Sequence, residues 1–194
     1  MRRPRSVSVE GGKTTVLVGT AVLGALVVVF DYTLKFSGWK IPFPWLPILK
    51  FDFTGIPIVL SLLLYGLRSG ATTSAVALLA IVLRSGDLVG ASMKALAEFS
   101  TIFGMALFRN RRSRVGRVLS FALGLTVRVA IMSVFNLVVL PISITLLPLI
   151  GAFNVVAGSI SMFGGYLIHE AMVRRALLKT SATASRLSFE SGRH

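Results

Sequence analysis

The chain has 194 residues, of which 54% are hydrophobic and only 14% charged, with a mean hydropathy of +0.81; this is too apolar for a water-soluble domain of its size. The formal net charge of +14 raises nucleic acid as a partner, but the basic residues fall between apolar runs rather than along one helical face. That is how cytoplasmic loops of membrane proteins are built, and it speaks against nucleic acid. With no cysteine, neither a disulfide framework nor a thiolate metal or redox site is available.

Residues 1–13 form a basic tail with Arg2, Arg3, Arg5 and Lys13. The apolar run 14–34 is long enough to cross a hydrocarbon core about 30 Å thick at about 1.5 Å per residue. It passes into Phe30-Asp31-Tyr32 without a small-residue cleavage pattern, so a retained first helix is expected. Ala21 and Ala25 sit four residues apart in it, beside Gly24. Such spacing allows close helix approach, although alanine is common enough in membrane helices to recur by chance.

From Lys35 to Phe53 the chain is rich in proline and tryptophan, and three prolines within residues 42–47 preclude a regular helix. Trp39 and Trp45 favour the headgroup level. A structured loop at the membrane surface is expected, either an aromatic anchor or a lid over a site. Lys50 and Asp52 cannot lie unpaired in hydrocarbon, so their segment should lie at a water-facing edge or cap a cavity. Gly55-Ile56-Pro57 then suits a helix start.

The second span is placed at about 54–67, with Arg68-Ser69-Gly70 as a tight turn, and a short third span at 71–83 ends in Arg84-Ser85-Gly86-Asp87. Residues 88–108 form the fourth, apolar except for Lys94 and Glu98. Their i, i+4 spacing allows them to pair with each other, and both should face the bundle interior or a water-filled cavity. Arg109 to Arg117 is the densest basic cluster and marks a cytoplasmic loop. The fifth span, 118–140, carries Arg128 in mid-helix and Asn136 eight residues on, near the same face; Arg128 needs an acceptor, and Glu98 is the candidate. Pro141 ends or kinks this helix. A sixth span runs from about Ala152 to Leu178 with Asn154 near its start and Arg174, Arg175 and Lys179 at its end. The tail 179–194 is Ser-rich, and disorder or a resting place on the membrane surface is expected of it.

The expected fold is therefore all-α, six transmembrane helices in one bundle over 14–178, with both termini cytoplasmic. Gly11-Gly12-Lys13-Thr14-Thr15 ends like a phosphate loop but lacks the earlier glycine and a preceding strand. His169 and His194 form no metal-ligand set, and His169-Glu170 reads as structural or interfacial. No nucleophile, base and orienting group can be nominated together, so capture of a small molecule suits the chain better than catalysis.

LKFDFTGIPIVLSLLLYG at 49–66, KALAEF in the fourth span, Asn136 in MSVFNLVVLP and Asn154 in FNVVAGSI together resemble the substrate-binding S components of energy-coupling factor vitamin transporters, most closely the riboflavin-specific branch. The resemblance covers roughly residues 15–178. It implies a pocket near the outer face closed by the loop after the first helix, no cofactor, and riboflavin as the transported ligand. It also implies docking onto a transmembrane coupling protein with two ATPase subunits. By the same resemblance Ala21 and Ala25 contact the coupling protein. Leu49, Lys50, Phe51 and Asp52 line and close the pocket, and Asn136 and Asn154 hydrogen-bond the flavin ring. The riboflavin pattern has FNxxKG at the sixth helix; here Ala157 stands at the lysine position. Arg128 is the candidate for supplying that charge, and another vitamin or heterocycle, or a non-transport membrane scaffold, stays open as the alternative.

Overall fold

In the computed structural model of the chain, residues 12–108, 113–139 and 143–191 are described, the side chains of Ile48 and of residues 177–191 excepted. Most of the tail 1–13, Arg109 to Arg112 of the basic run, Pro141 and His194 lie outside the described residues. The elements are α1 (Lys13–Phe36), a hairpin of β1 (Ile41–Phe43) and β2 (Leu46–Phe51), α2 (Gly55–Tyr65), α3 (Leu67–Ser85), α4 (Leu88–Ala106), α5 (Arg114–Val139), a 3-10 turn (Ile144–Leu146) and α6 (Leu147–Ser191). Among the described residues four stretches are long and apolar enough to cross a membrane: Lys13–Phe36, Leu67–Ser85, Arg114–Val139 and Ile144–Ala176.

The helices pack in a ring, α1 beside α3, then α4, α5, α6 and α2, with α2 also against α3 and α4. The shortness of α2 follows from where it sits. Its eleven residues span only about 16 Å, yet Ile58, Val59, Leu60 and Leu62 are all buried, so helices rather than lipid cover most of its surface. A helix that is apolar all round belongs in an interior. Val27, Ile102, Met105 and Met162 complete the core around it. A chain of hydroxyls, Thr20 to Ser69, Ser69 to Ser61 and Thr73 to Ser61, ties α1, α2 and α3 together, the kind of polar link that holds membrane helices to one another.

Three boundaries differ from the sequence expectation. The reversal between the second and third helices is at Gly66, whose φ of 102° suits only glycine, not at Arg68-Ser69-Gly70. Those three residues open α3, which thereby gains enough length to span. The last helix begins at Leu147 rather than near Ala152, because Pro148 falls in its first turn, where a missing N–H costs nothing. It also continues as helical backbone to Ser191, where the sequence reading ended it near Leu178.

The proline-rich stretch forms an antiparallel hairpin that pairs Ile41 with Phe51 and Pro42 with Lys50, with a bulge between Pro42 and Phe43. It is held down by aromatic rings. Phe43 is buried and meets Phe51 and Phe153 edge-on, while Phe51 stacks on Phe153 of α6 at 4.9 Å between centroids. Trp39 and Trp45 stay exposed, as residues at a headgroup boundary should.

Candidate functional site

Beneath the hairpin, a pocket of about 510 Å³ opens between α4, α5 and α6, within the range of roughly 300–1,000 Å³ usual for small-molecule sites. Leu46, Leu49 and Lys50 of β2 and Asp52 form its roof, with Met93, Lys94, Ala97 and Glu98 on α4. Arg128, Met132 and Asn136 come from α5, and Ile150, Phe153, Asn154 and Ala157 from α6. Of the residues singled out in the sequence, Leu49, Lys50, Asp52, Arg128, Asn136 and Asn154 all line it. Phe51 does not; it lies behind the roof and braces the lining residue Phe153. Ala21 and Ala25 are on an exposed face of α1, away from the pocket.

The polar groups of the floor are ordered by one guanidinium. Arg128 donates from Nη1 to Glu98 Oε1 and to the Thr101 hydroxyl, both at 3.0 Å, and from Nε to the Asn154 side-chain oxygen at 3.2 Å. Asn154 donates in turn to the Ile150 carbonyl at 2.9 Å. Asn136 donates to the Met132 carbonyl at 2.6 Å. Its Oδ1 meets no donor among the described residues, which leaves an acceptor at the pocket wall. Glu98 therefore does accept Arg128, as expected.

Lys94 does not pair with Glu98. It reaches the other way, to Asp52 in the roof and, at 3.8 Å, to Asp31 near the end of α1. Asp31, fully buried, also takes Lys40 and Arg84, each at 2.8 Å, and Lys40 lies 3.8 Å from Asp52. Two carboxylates and three cations thus join α1, α3, α4 and the two ends of the hairpin segment. Burial by itself raises the Asp52 carboxyl, but Lys94, the Thr54 hydroxyl and Lys40 outweigh it and hold it below its ordinary value. Sequence reasoning missed this cluster, although Asp31 at the end of an apolar run signalled a required partner.

Comparison with known proteins agrees with this architecture. The sequence pattern of the family described as ECF transporter, substrate-specific component, matches residues 15–187. The riboflavin transporter FmnP of Bacillus subtilis (strain 168) is 30% identical over 105 residues, 51% of this chain and 55% of that protein, so the chain spans about half the length of the curated relative it matches. A solved structure of the S component of a bacterial ECF transporter superposes with a TM-score of 0.75 at 23% identity, over 85% of this chain and 99% of that one; at that identity the likeness is one of fold. Matched over nearly its whole helical bundle, the chain belongs to the substrate-specific S components of ECF transporters and is a multi-pass membrane protein.

Proposed function

We propose that the chain captures riboflavin at the outer face of the cell membrane and hands it inward when a coupling module, a transmembrane protein with two ATPases, hydrolyses ATP. The observation that carries this reading is the pocket beneath the hairpin, lined by the polar side chains of Asn136, Asn154 and Arg128 together with the aromatic Phe153. A flat heterocycle with ring N–H and carbonyl groups is what such a set recognises. The name of the Bacillus subtilis relative supports riboflavin in particular. Lys13, Arg68, Arg114, Arg117, Arg174 and Arg175 all belong to the end opposite the hairpin, which the positive-inside rule assigns to the cytoplasm. Of the cations at the hairpin end, Lys40, Arg84 and Lys94 are paired with Asp31 and Asp52. Both chain ends are then cytoplasmic, and the exposed Ala21 and Ala25 face of α1 is offered to the coupling protein.

The test is titration of the purified full-length chain with riboflavin, followed by quenching of flavin fluorescence. Saturable quenching at one ligand per chain, weakened about tenfold in Asn136→Ala as the loss of one hydrogen bond implies, supports the reading. Indifference to riboflavin together with binding of a different vitamin supports a second reading, a related heterocycle, which Ala157 at the lysine position of the riboflavin pattern favours.

A further inference from the structure

At the end of the bundle opposite the hairpin, α5 and α6 part to leave an open cleft of about 520 Å³ lined by Arg114, Arg117, Val118, Phe121, Ala122, Phe163 and Tyr166. Its two halves differ in chemistry. Val118 and Phe163 are 68% and 59% exposed, and with Phe121 and Ala122 they make a wall that only acyl chain or another helix would wet. Above it, at the helix end, stand two cations. Arg117 donates to the Tyr166 hydroxyl and lies 5.8 Å over that ring, which fixes its guanidinium at the rim. Arg114 is exposed and makes no ion pair among the described residues. Glu170, one turn further along α6, takes Arg174 at 2.8 Å and the Tyr166 hydroxyl and lies within electrostatic reach of Arg117; against Arg114, Arg117 and Arg174 this one carboxylate leaves the rim net positive.

We infer that this cleft is a site for one anionic phospholipid, its phosphate held by Arg114 and Arg117 and one acyl chain lying along Val118, Phe121 and Phe163. A basic pocket between membrane helices, flush with the headgroup level, is what an anionic headgroup recognises, and the planar guanidinium suits phosphate oxygens. A protein helix is the less fitting occupant. The face offered for docking in the proposed function is on α1, which packs against α2 and α3, across the ring from the α5 and α6 seam. The inference does not depend on which vitamin the pocket binds.

Native mass spectrometry of the full-length chain, released from micelles containing equal phosphatidylglycerol and phosphatidylcholine, tests it. Retention of one phosphatidylglycerol in preference to phosphatidylcholine is expected. Arg114→Gln with Arg117→Gln should lower that retention about 25-fold, as loss of two basic contacts implies. Lys13→Gln with Arg68→Gln, which removes the same charge from the same end outside the cleft, should leave it unchanged. Arg114→Gln alone, at an exposed residue with no ion pair among the described residues, should lower it about fivefold and guards against misfolding of the double variant. Equal losses in the cleft and control variants, or equal retention of the two lipids by the native chain, would overturn the site. Retention unchanged by Phe163→Ala would overturn the placement of the acyl chain.

Discussion

Arg128 of α5 and Glu98 of α4 meet at 3.0 Å in the interior of the bundle, each with no more than 5% of its side chain exposed. Among the described residues Glu98 Oε2 has no hydrogen-bond partner, although it is buried, and besides Arg128 only the Ser161 hydroxyl reaches Oε1, at 3.5 Å, so the carboxylate depends on this one cation for most of its compensation. A buried charge stripped of its partner is costly, whereas removal of both is often tolerated.

The expected outcome is that Arg128→Met or Glu98→Leu alone destabilises by about 3–5 kcal/mol, while the double variant loses less than either. Thermal unfolding of the four proteins in one detergent measures the coupling. Losses that simply add would mean that the two residues are held by their other neighbours.

Much of this arrangement was readable from residue types. Arg128 in an apolar run demanded an acceptor, and Glu98 was the acid available on another span. Six runs with basic ends announced the bundle, and the clustered prolines announced a non-helical lid. Lys94 was not readable in the same way, because its i, i+4 neighbour Glu98 is a local partner in sequence while its actual partners, Asp52 and Asp31, come from the roof and from α1. The turn at Gly66 was hidden for a similar reason. Ser69 and Gly70 look like turn residues, but the Ser69 hydroxyl is buried against Thr20 and Ser61, and only packing reveals that.

The Lys94 to Asp52 pair fastens the roof to α4 and should govern ligand release. Because the Asp52 carboxyl is held below its ordinary value of 3.8, its contribution is complete above that value and is lost as pH falls through the lowered one. Ligand dissociation followed by stopped flow is expected to be flat from about pH 8 to about pH 5 on this account and to quicken only in stronger acid. Asp52→Asn should release ligand faster than the native chain across the flat range, converge with it in strong acid, and lose the acid limb. An acid limb that survives in Asp52→Asn would assign it elsewhere.

Arg128 is the candidate for the charge that the riboflavin pattern carries at position 157, and moving the charge between the two positions tests this. Gly158, next in sequence, lies so near the Arg128 stem that an added Cβ would be 3.0 Å from its Cδ, and Ala157 and Arg128 line the same pocket. If the pocket takes riboflavin as proposed, Arg128→Gln is expected to weaken its binding about 10- to 100-fold, the worth of a hydrogen bond from a charged group. Adding Ala157→Lys in that background should recover most of the loss, whereas Ala157→Lys alone should weaken binding by setting two cations side by side. Fluorescence titration of the three variants decides it; no recovery in the double variant would show that the cation acts from α5 alone.

Gly104 sets how closely α4 and α5 cross. A Cβ there would stand 2.5 Å from the Leu123 carbonyl oxygen and 2.9 Å from the Gly124 Cα, and since both are backbone, neither can swing aside. Ser120 adds a hydrogen bond across the same seam to the Met105 carbonyl at 2.8 Å. Gly104→Ala must therefore push the helices apart, at about 1–3 kcal/mol. Gly151→Ala, where the nearest atom would be 3.9 Å away, should be nearly neutral. Arg128 is one turn along α5 from Gly124, so the same displacement draws its guanidinium away from Glu98. Gly104→Ala should thus weaken ligand binding as well as lower the Tm, while Gly151→Ala does neither. A Gly104→Ala protein of lowered Tm and native affinity would show that the pocket floor is insulated from the spacing of the helices that carry it.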